Sequence, residues 1–380
     1  MQYRKFGSTD FMVSDFGLGN MRLPTTKNEQ GETVIDRPKA IELIRYAIDH
    51  GVNYLDTAYV YHNQESEVVV GLALQDGYRE RVKIATKLPG HKASSIAEME
   101  ETLQTSMDRL QVDYIDYYLL HGINRGGWQR FKDAGALEFL TNAKACGKIK
   151  NACFSFHGEY DEFVEIIDAY PWDMCQIQLN YLDIDNQAGV KGMQYAAEKG
   201  IGVVIMEPLR GGKLANIPAD VQAIFDASPT KYTPAEWAFR WLYSQKGVAT
   251  ILSGTSTMEQ MVDSLRIFEK SAIGAMTAEE EAVVLQAKAA YEKRIGISCT
   301  NCRYCMPCPN GVSIPEIFAI YNEAFMYDDL NSHSGSYGRL KESGADATKC
   351  IGCSLCEAEC PQHIEIIDSL AMIAECGFAK

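Results

Sequence analysis

The sequence predicts an α/β protein: a (β/α)8 TIM barrel followed by a smaller, mostly helical, cysteine-rich domain. Three observations predict it. Between residues 16 and 256, short β-rich apolar runs alternate with amphipathic stretches, and the alternation recurs eight times, as a closed parallel barrel requires. The 380 residues exceed one average domain but suit a barrel of about 250 residues with an appendage. Eight of the twelve cysteines crowd into two runs beyond the barrel.

The elements follow in chain order. Residues 3–13, with Gly7 in a turn, read as a hairpin closing the barrel floor. Candidate strands end near Gly19, Asp56, Lys87, His121, Ser155, Gln178, Met206 and Gly254. A doubly wound open sheet is the competing fold, but Gly17-Leu18-Gly19-Asn20-Met21 lacks the third glycine of its dinucleotide turn. Ser95-Ile96-Ala97-Glu98, Thr233-Pro234-Ala235-Glu236 and Thr257-Met258-Glu259-Gln260 read as capping boxes, the second with proline at the first helical position. After Ser95, Ile96, Met99, Leu103, Met107 and Leu110 share one helical face. A further box at Thr277 opens an acidic helix running to about Lys293. The expected division is a barrel over 1–270, a helical connector over 271–296 and a cysteine domain over 297–380. Within that domain, 314–326 and 362–374 read as helices, and the Ser- and Gly-rich segment 331–347 reads as a loop.

Composition narrows the function classes. Hydrophobic residues make up 46% of the chain, yet no apolar run approaches the ~20 residues of a membrane helix. A net charge of −15 without a basic stripe argues against nucleic acid as a partner. Met1-Gln2-Tyr3-Arg4-Lys5-Phe6-Gly7 lacks the apolar stretch of a signal peptide, so the expected setting is the reducing cytoplasm. There, clustered cysteines favour metal over disulfides.

The cysteine runs are Cys299-x2-Cys302-x2-Cys305-x2-Cys308-Pro309 and Cys350-x2-Cys353-x2-Cys356-x3-Cys360-Pro361. The second has the spacing of bacterial iron–sulfur ligation, in which three cysteines of one tight turn hold a cluster and the cysteine before proline serves the other. Two [4Fe–4S] clusters are therefore expected: one on Cys299, Cys302, Cys305 and Cys360, the other on Cys350, Cys353, Cys356 and Cys308. Structural zinc is the alternative, although it uses two Cys-x2-Cys pairs per ion. Cys146, Cys153, Cys175 and Cys376 lie outside both runs and read as small core residues.

Reactive groups of such a barrel sit at the carboxyl ends of its strands. Asp56, Tyr61, Lys87 and His121 form a coherent set there. Around them, Val52-Asn53-Tyr54-Leu55-Asp56-Thr57-Ala58-Tyr59-Val60-Tyr61, Ile84-Ala85-Thr86-Lys87 and Tyr117-Tyr118-Leu119-Leu120-His121 make residues 1 to about 270 resemble the aldo-keto reductase family. With its tail, the whole chain resembles the branch carrying a C-terminal dicluster 4Fe-4S ferredoxin-type domain. The resemblance implies an NAD(P)-dependent oxidoreductase that interconverts an aldehyde or ketone and an alcohol, with those four residues catalytic. The chemistry is coherent. Hydride addition leaves negative charge on the carbonyl oxygen, and a phenol can quench it if a cation stabilises the phenolate. Lys87 is expected to lower the Tyr61 pKa, Asp56 to fix Lys87, and His121 to bond the carbonyl.

The same resemblance implies a nicotinamide site. Ser155 and Gln176 correspond to the carboxamide-binding positions, and Met206, with Pro208 and Leu209 after it, to the platform under the ring. Gly254, Thr255, Ser256 and Gln260 line the rest of the nucleotide; Gly254 and Gln260 stand where NADP-preferring relatives carry cations. NAD is therefore expected to bind at least as well as NADP, with Arg210 and Lys213 as nearby substitute cations. His157 follows the fifth strand, facing either the pocket or solvent. A second class of function is an electron-transfer protein, whose clusters serve an external carrier and whose barrel is a docking or nicotinamide-sensing body. In a third, the clusters only staple a small domain.

Overall fold

Two short strands, β1 (Tyr3–Lys5) and β2 (Met12–Ser14), pair as an antiparallel hairpin. Next come β3 (Phe16–Gly19), a second hairpin of β4 (Thr25–Lys27) and β5 (Thr33–Ile35), and then β6 (Tyr54–Asp56) and β7 (Lys83–Pro89). The series ends with β8 (Ile115–Ile123), β9 (Ile149–Phe156), β10 (Met174–Gln178), β11 (Gly202–Met206) and β12 (Thr250–Ser253). The computed structural model describes residues 1–376 and 378. Strands β3 and β6–β12 close into one parallel barrel in the order β10-β11-β12-β3-β6-β7-β8-β9. The predicted fold class is the observed one.

Alternation along each strand divides the core into two layers. On β8, Tyr117 and Leu119 join the barrel interior with Tyr54, Cys153, Met174 and Val204, whereas Tyr118 and Leu120 belong to the outer layer under the helices. Phe6, carried by the N-terminal hairpin, fills the interior from one end, its ring 4.8 Å from Tyr117 and 5.7 Å from Tyr54. Gly7 makes that insertion possible. Its φ is +59°, and a Cβ there would lie 2.6 Å from Gly200 O and Gly202 N.

The helices start where their caps predict. Ser95 Oγ accepts from Glu98 N at the head of Ile96–Leu110, and Thr257 Oγ1 accepts from Gln260 N at the head of Met258–Phe268. At the head of Ala278–Lys293 the box is reciprocal: Glu280 N donates to Thr277 Oγ1 at 3.2 Å, and Thr277 N donates to Glu280 Oε2 at 3.1 Å. Among the described residues, no helix is long and apolar enough to cross a membrane.

The chain forms two units, residues 1–215 with 235–281, and residues 216–234 with 282–380. The second has its own core of Ile297, Val312, Ile314, Ile317, Phe318 and Tyr321 with Ile366, Leu370 and Ile373, against which cysteines of both runs pack. The helix Ala219–Ala227 belongs to this unit, where Asp220 pairs with Arg294 at 2.9 Å. Helices Ile314–Met326 and Ile366–Glu375 agree with the apolar patterns read there. The segment 331–347 departs from expectation, because Leu330–Glu342 is a helix rather than a loop. Asp329 caps it through Ser332 N, and Tyr337 is buried and stacked on Phe378 at 5.1 Å. Tertiary burial outweighs the poor helix propensity of its Ser and Gly residues.

Candidate functional site

At the carboxyl ends of β6, β7 and β8, four polar side chains meet in a largely apolar interior. Parallel register sets their heights: Asp56 lies opposite Ala85 and Pro89 opposite His121, which leaves Lys87 between them on β7. The Lys87 ammonium, fully buried, donates to Asp56 Oδ1 and Oδ2 at 2.6 and 2.8 Å and to Thr57 O at 2.7 Å. It reaches Tyr61 Oη at 3.4 Å. The Tyr61 and His121 rings meet edge to face with centroids 5.8 Å apart. All four predicted residues are thus one contact group. The β8–β9 register is irregular between Leu120 and Ile123, with Gly122 at φ +64°. Ser155 Oγ holds this bulge by accepting from Gly122 N at 2.8 Å.

Burial sets the protonation states. It works against the Lys87 ammonium, but Asp56 and Tyr61 together outweigh it and raise the lysine's pKa, so Lys87 stays charged. Burial also lifts the Asp56 carboxyl above its ordinary value, opposed by Lys87. For Tyr61 burial is again the largest influence and raises the phenol, with Lys87 offsetting it only in part. Lys87 thus lowers the phenol's pKa as expected, but burial outweighs it and leaves Tyr61 above its ordinary value. Burial, then Lys87, then His157 and His91 push His121 down to about 3, so its imidazole is neutral at physiological pH.

Beside this group lie the residues expected to hold a nicotinamide. Ser155 and Gln176 are buried and adjacent in register. Gln176 Nε2 points at Met206 Sδ, 3.7 Å away, while its Oε1 is buried with no partner. Thr255 Oγ1, after β12, is likewise buried and unpartnered. Buried acceptors without partners are rare and expensive, so these two atoms suit a group that brings its own donors, as an amide and a ribose do. Pro208 is buried, Leu209 and Ser256 are half-buried, and Gly254 and Gln260 are exposed. Gln260 is occupied locally: its Oε1 accepts from Ser256 N at 2.9 Å. His157 is exposed.

Sequence reasoning missed two buried asparagines. Asn20 Nδ2 donates to Asp56 O at 2.9 Å and ties β3 to the Asp56 strand. Asn180 Nδ2 donates to Asp183 Oδ2 at 2.9 Å, beside Gln178. A polar residue within two positions of a strand end is the signal that marks both.

In the second unit, Cys299, Cys302, Cys305 and Cys360 line one small, partly open pocket together with Ile314, Phe318 and Ile366. Among the described residues, no three His, Cys, Asp or Glu side chains gather closely enough for a single metal ion. The four thiols line the same pocket, as the ligands of one cluster would. The two runs also repeat one backbone device. Asn301 and Arg303 have φ of +56° and +65°, and Gly352 and Ser354, at the same offsets from Cys350, have φ of +67° and +62°. Left-handed residues alternating with ordinary ones curl the chain into a nest whose N–H groups face an anionic centre. Asn310 Nδ2 donates to Lys349 O, tying the end of the first run to the start of the second.

Residues 15–279 match the aldo/keto reductase family, and the chain belongs to it. Residues 298–365 match the 4Fe-4S dicluster domain, so the chain is an oxidoreductase of that family with an iron–sulfur domain. Oxidoreductase YqkF of Bacillus subtilis, described as uncharacterized, is 27% identical over 320 residues, covering 76% of this chain and 96% of its own. The NADH-specific methylglyoxal reductase of Escherichia coli is 26% identical over 309 residues, covering 68% and 91%. An aldo-keto reductase from Bacillus halodurans in its holo form superposes with a TM-score of 0.63 at 26% identity, over 76% of this chain and 96% of that one. For the Klebsiella pneumoniae enzyme in complex with NADPH, the TM-score is 0.60 at 22% identity, over 75% and 94%, a likeness of fold.

Proposed function

We propose that the barrel interconverts a small aldehyde or ketone and its alcohol with a nicotinamide nucleotide, and that the second unit carries two [4Fe–4S] clusters serving an external electron carrier. The contact of Lys87 Nζ with both the Asp56 carboxylate and Tyr61 Oη carries the barrel reading. When bound, the nicotinamide supplies the hydride in the reducing direction and accepts it in the other. This chain's residues handle the oxygen and the proton. His121, neutral, donates a hydrogen bond to the carbonyl oxygen and orients it. Tyr61 keeps its proton until negative charge builds on that oxygen and then gives it up. The phenolate so formed faces the Lys87 ammonium, which Asp56 and Thr57 hold in place. Ser155 and Gln176 would hold the carboxamide, Met206 the ring through its polarizable sulfur, and Pro208, Leu209 and the 254–256 loop the remainder. Gln260 acts through that loop by fixing Ser256.

For the second unit, the cavity lined by four thiols and the repeated left-handed pattern support one cluster per run, the last cysteine of each run serving the other. Cys302 and Cys353 are exposed, as are Tyr304, Ile351 and Leu355 beside them, which leaves both runs accessible to a partner.

The test of the barrel reading is turnover of anaerobically purified protein with NADH or NADPH and a panel of aldehydes and ketones, compared with Tyr61→Phe. The variant is expected to lose about 100-fold or more, the scale of a positioned general acid. Wild-type turnover in Tyr61→Phe would overturn the assignment.

A further inference from the structure

The loops after β11 and β12 both carry glycine where an arginine from elsewhere in the chain crosses them. Arg22 ends the short 3-10 turn Asn20–Arg22 after β3. A Cβ on Gly254 would lie 3.3 Å from Arg22 Cβ and 3.5 Å from its Cγ and Cδ, and a Cβ on Gly211 would lie 3.4 Å from Arg22 Nη2. The arginine stem therefore rests on Gly254, and its guanidinium reaches the 210–212 turn. Its backbone is fixed from two sides: Ser256 Oγ donates to Arg22 O at 2.8 Å, and Leu23 N donates to His62 Nε2 at 3.2 Å. The guanidinium itself makes no hydrogen bond or ion pair with the described residues. The other nearby cations are engaged, Arg210 with Asp183 at 3.4 Å and Lys213 with partners of its own.

Three features converge on the space beside Arg22. Glycine at 211 and 254 lets a ligand approach the backbone closely. The helix Met258–Phe268 begins just beyond, its N-terminus favourable to negative charge. The unpartnered hydroxyl of Thr255, 3% exposed, lies in the same loop. An acidic side chain in that first turn, Glu259, sets the electrostatic limit of the site. We propose that Arg22 is the cation that holds a phosphate of the nicotinamide nucleotide against the 254–256 loop, in place of the cations missing at Gly254 and Gln260. The proposal rests on the nicotinamide reading above. A guanidinium offers paired donors to phosphate oxygens, and a preformed, unpaired one loses no existing partner on binding.

The test is equilibrium binding by fluorescence or calorimetric titration of NADH and NADPH to the full chain, wild type against Arg22→Gln and Arg22→Lys. Arg22→Gln is expected to weaken at least one nucleotide by about 10-fold or more, and Arg22→Lys by less. Equal loss for both assigns Arg22 to the diphosphate; loss for NADPH alone assigns it to the 2′-phosphate. Because Arg22 is exposed, these variants should fold as wild type does. Gly254→Ala is a second probe: it retains the charge but crowds the Arg22 stem, and is expected to weaken binding in the same direction. Wild type that binds while Arg22→Gln stays within about twofold for both nucleotides would overturn this inference and leave the nicotinamide reading standing. Wild type that binds neither nucleotide would overturn both.

Discussion

Lys87 Nζ stands 3.4 Å from Tyr61 Oη, but the Asp56 carboxylate is closer, at 2.6 and 2.8 Å. The lysine's charge is thus shared, and the nearer partner takes the larger part. Burial raises the phenol's pKa by more than Lys87 lowers it, so Tyr61 keeps its proton at rest. The pair is matched to the reaction rather than to the resting state, because the lysine's field is felt fully by Tyr61 only when the phenol becomes an anion.

Lys87→Met is expected to lower carbonyl reduction by about 100-fold or more and also to destabilise the fold by ~3–5 kcal/mol, because it strands the Asp56 charge in the interior. Adding Asp56→Asn removes the stranded charge. The double variant should recover much of the stability and none of the activity. Denaturant unfolding and turnover on the same three proteins check this, and a double variant as active as wild type would remove Lys87 from the reaction.

His121 gives a pH signature. Its folded pKa of about 3 lies below the ordinary 6.5, so between these values the unfolded chain binds a proton that the folded chain does not. Stability is full above pH 6.5 and falls as pH drops toward 3, by at most ~1.4 kcal/mol per unit from this group. Other groups contribute to acid unfolding as well. The decisive quantity is therefore the difference between wild type and His121→Gln, which should change by ~2 kcal/mol between pH 6.5 and 5 in favour of the variant. Parallel stability-against-pH curves for the two proteins would contradict a neutral, buried His121.

What the sequence made legible was local. Strand ends from Gly19 to Gly254 could be read because each apolar run is short and bounded, and the caps at Ser95, Thr257 and Thr277 because donor and acceptor lie within four residues. Asp56, Tyr61, Lys87 and His121 were visible as strand-end residues. The features that escaped depend on distant partners. Residues 216–234 join the second unit, where Asp220 meets an arginine 74 positions away. The helix Leu330–Glu342 takes its stability from Phe378 and Ala347. Arg22 is an ordinary exposed arginine until the barrel closes β12 beside β3 and sets Gly254 under it.

That helix supplies a further prediction. Tyr337 is buried, and its hydroxyl accepts from Ala347 N at 3.3 Å. Tyr337→Ala should cost ~3–5 kcal/mol, as truncation of a buried aromatic does. Faster hydrogen exchange is expected across 330–342, with the barrel strands unchanged. Unaltered protection in that segment would mean that its own sequence sustains the helix.

The cluster stoichiometry follows from the repeated turn. If both runs curl the chain in the same way, at Asn301 and Arg303 and again at Gly352 and Ser354, each should hold a cubane, giving about eight iron and about eight acid-labile sulfide per chain after anaerobic purification. Cys353→Ser removes a thiol from the second run and should leave about half of both, whereas Cys376→Ser, outside the runs, should leave them unchanged. The comparison separates ligation from general disturbance, because Cys376 packs against the same core as the run cysteines. Metal analysis with sulfide determination reads it directly. Stoichiometric zinc without labile sulfide would return the site to a structural zinc domain, and equal iron in Cys353→Ser and wild type would remove Cys353 from the ligand set.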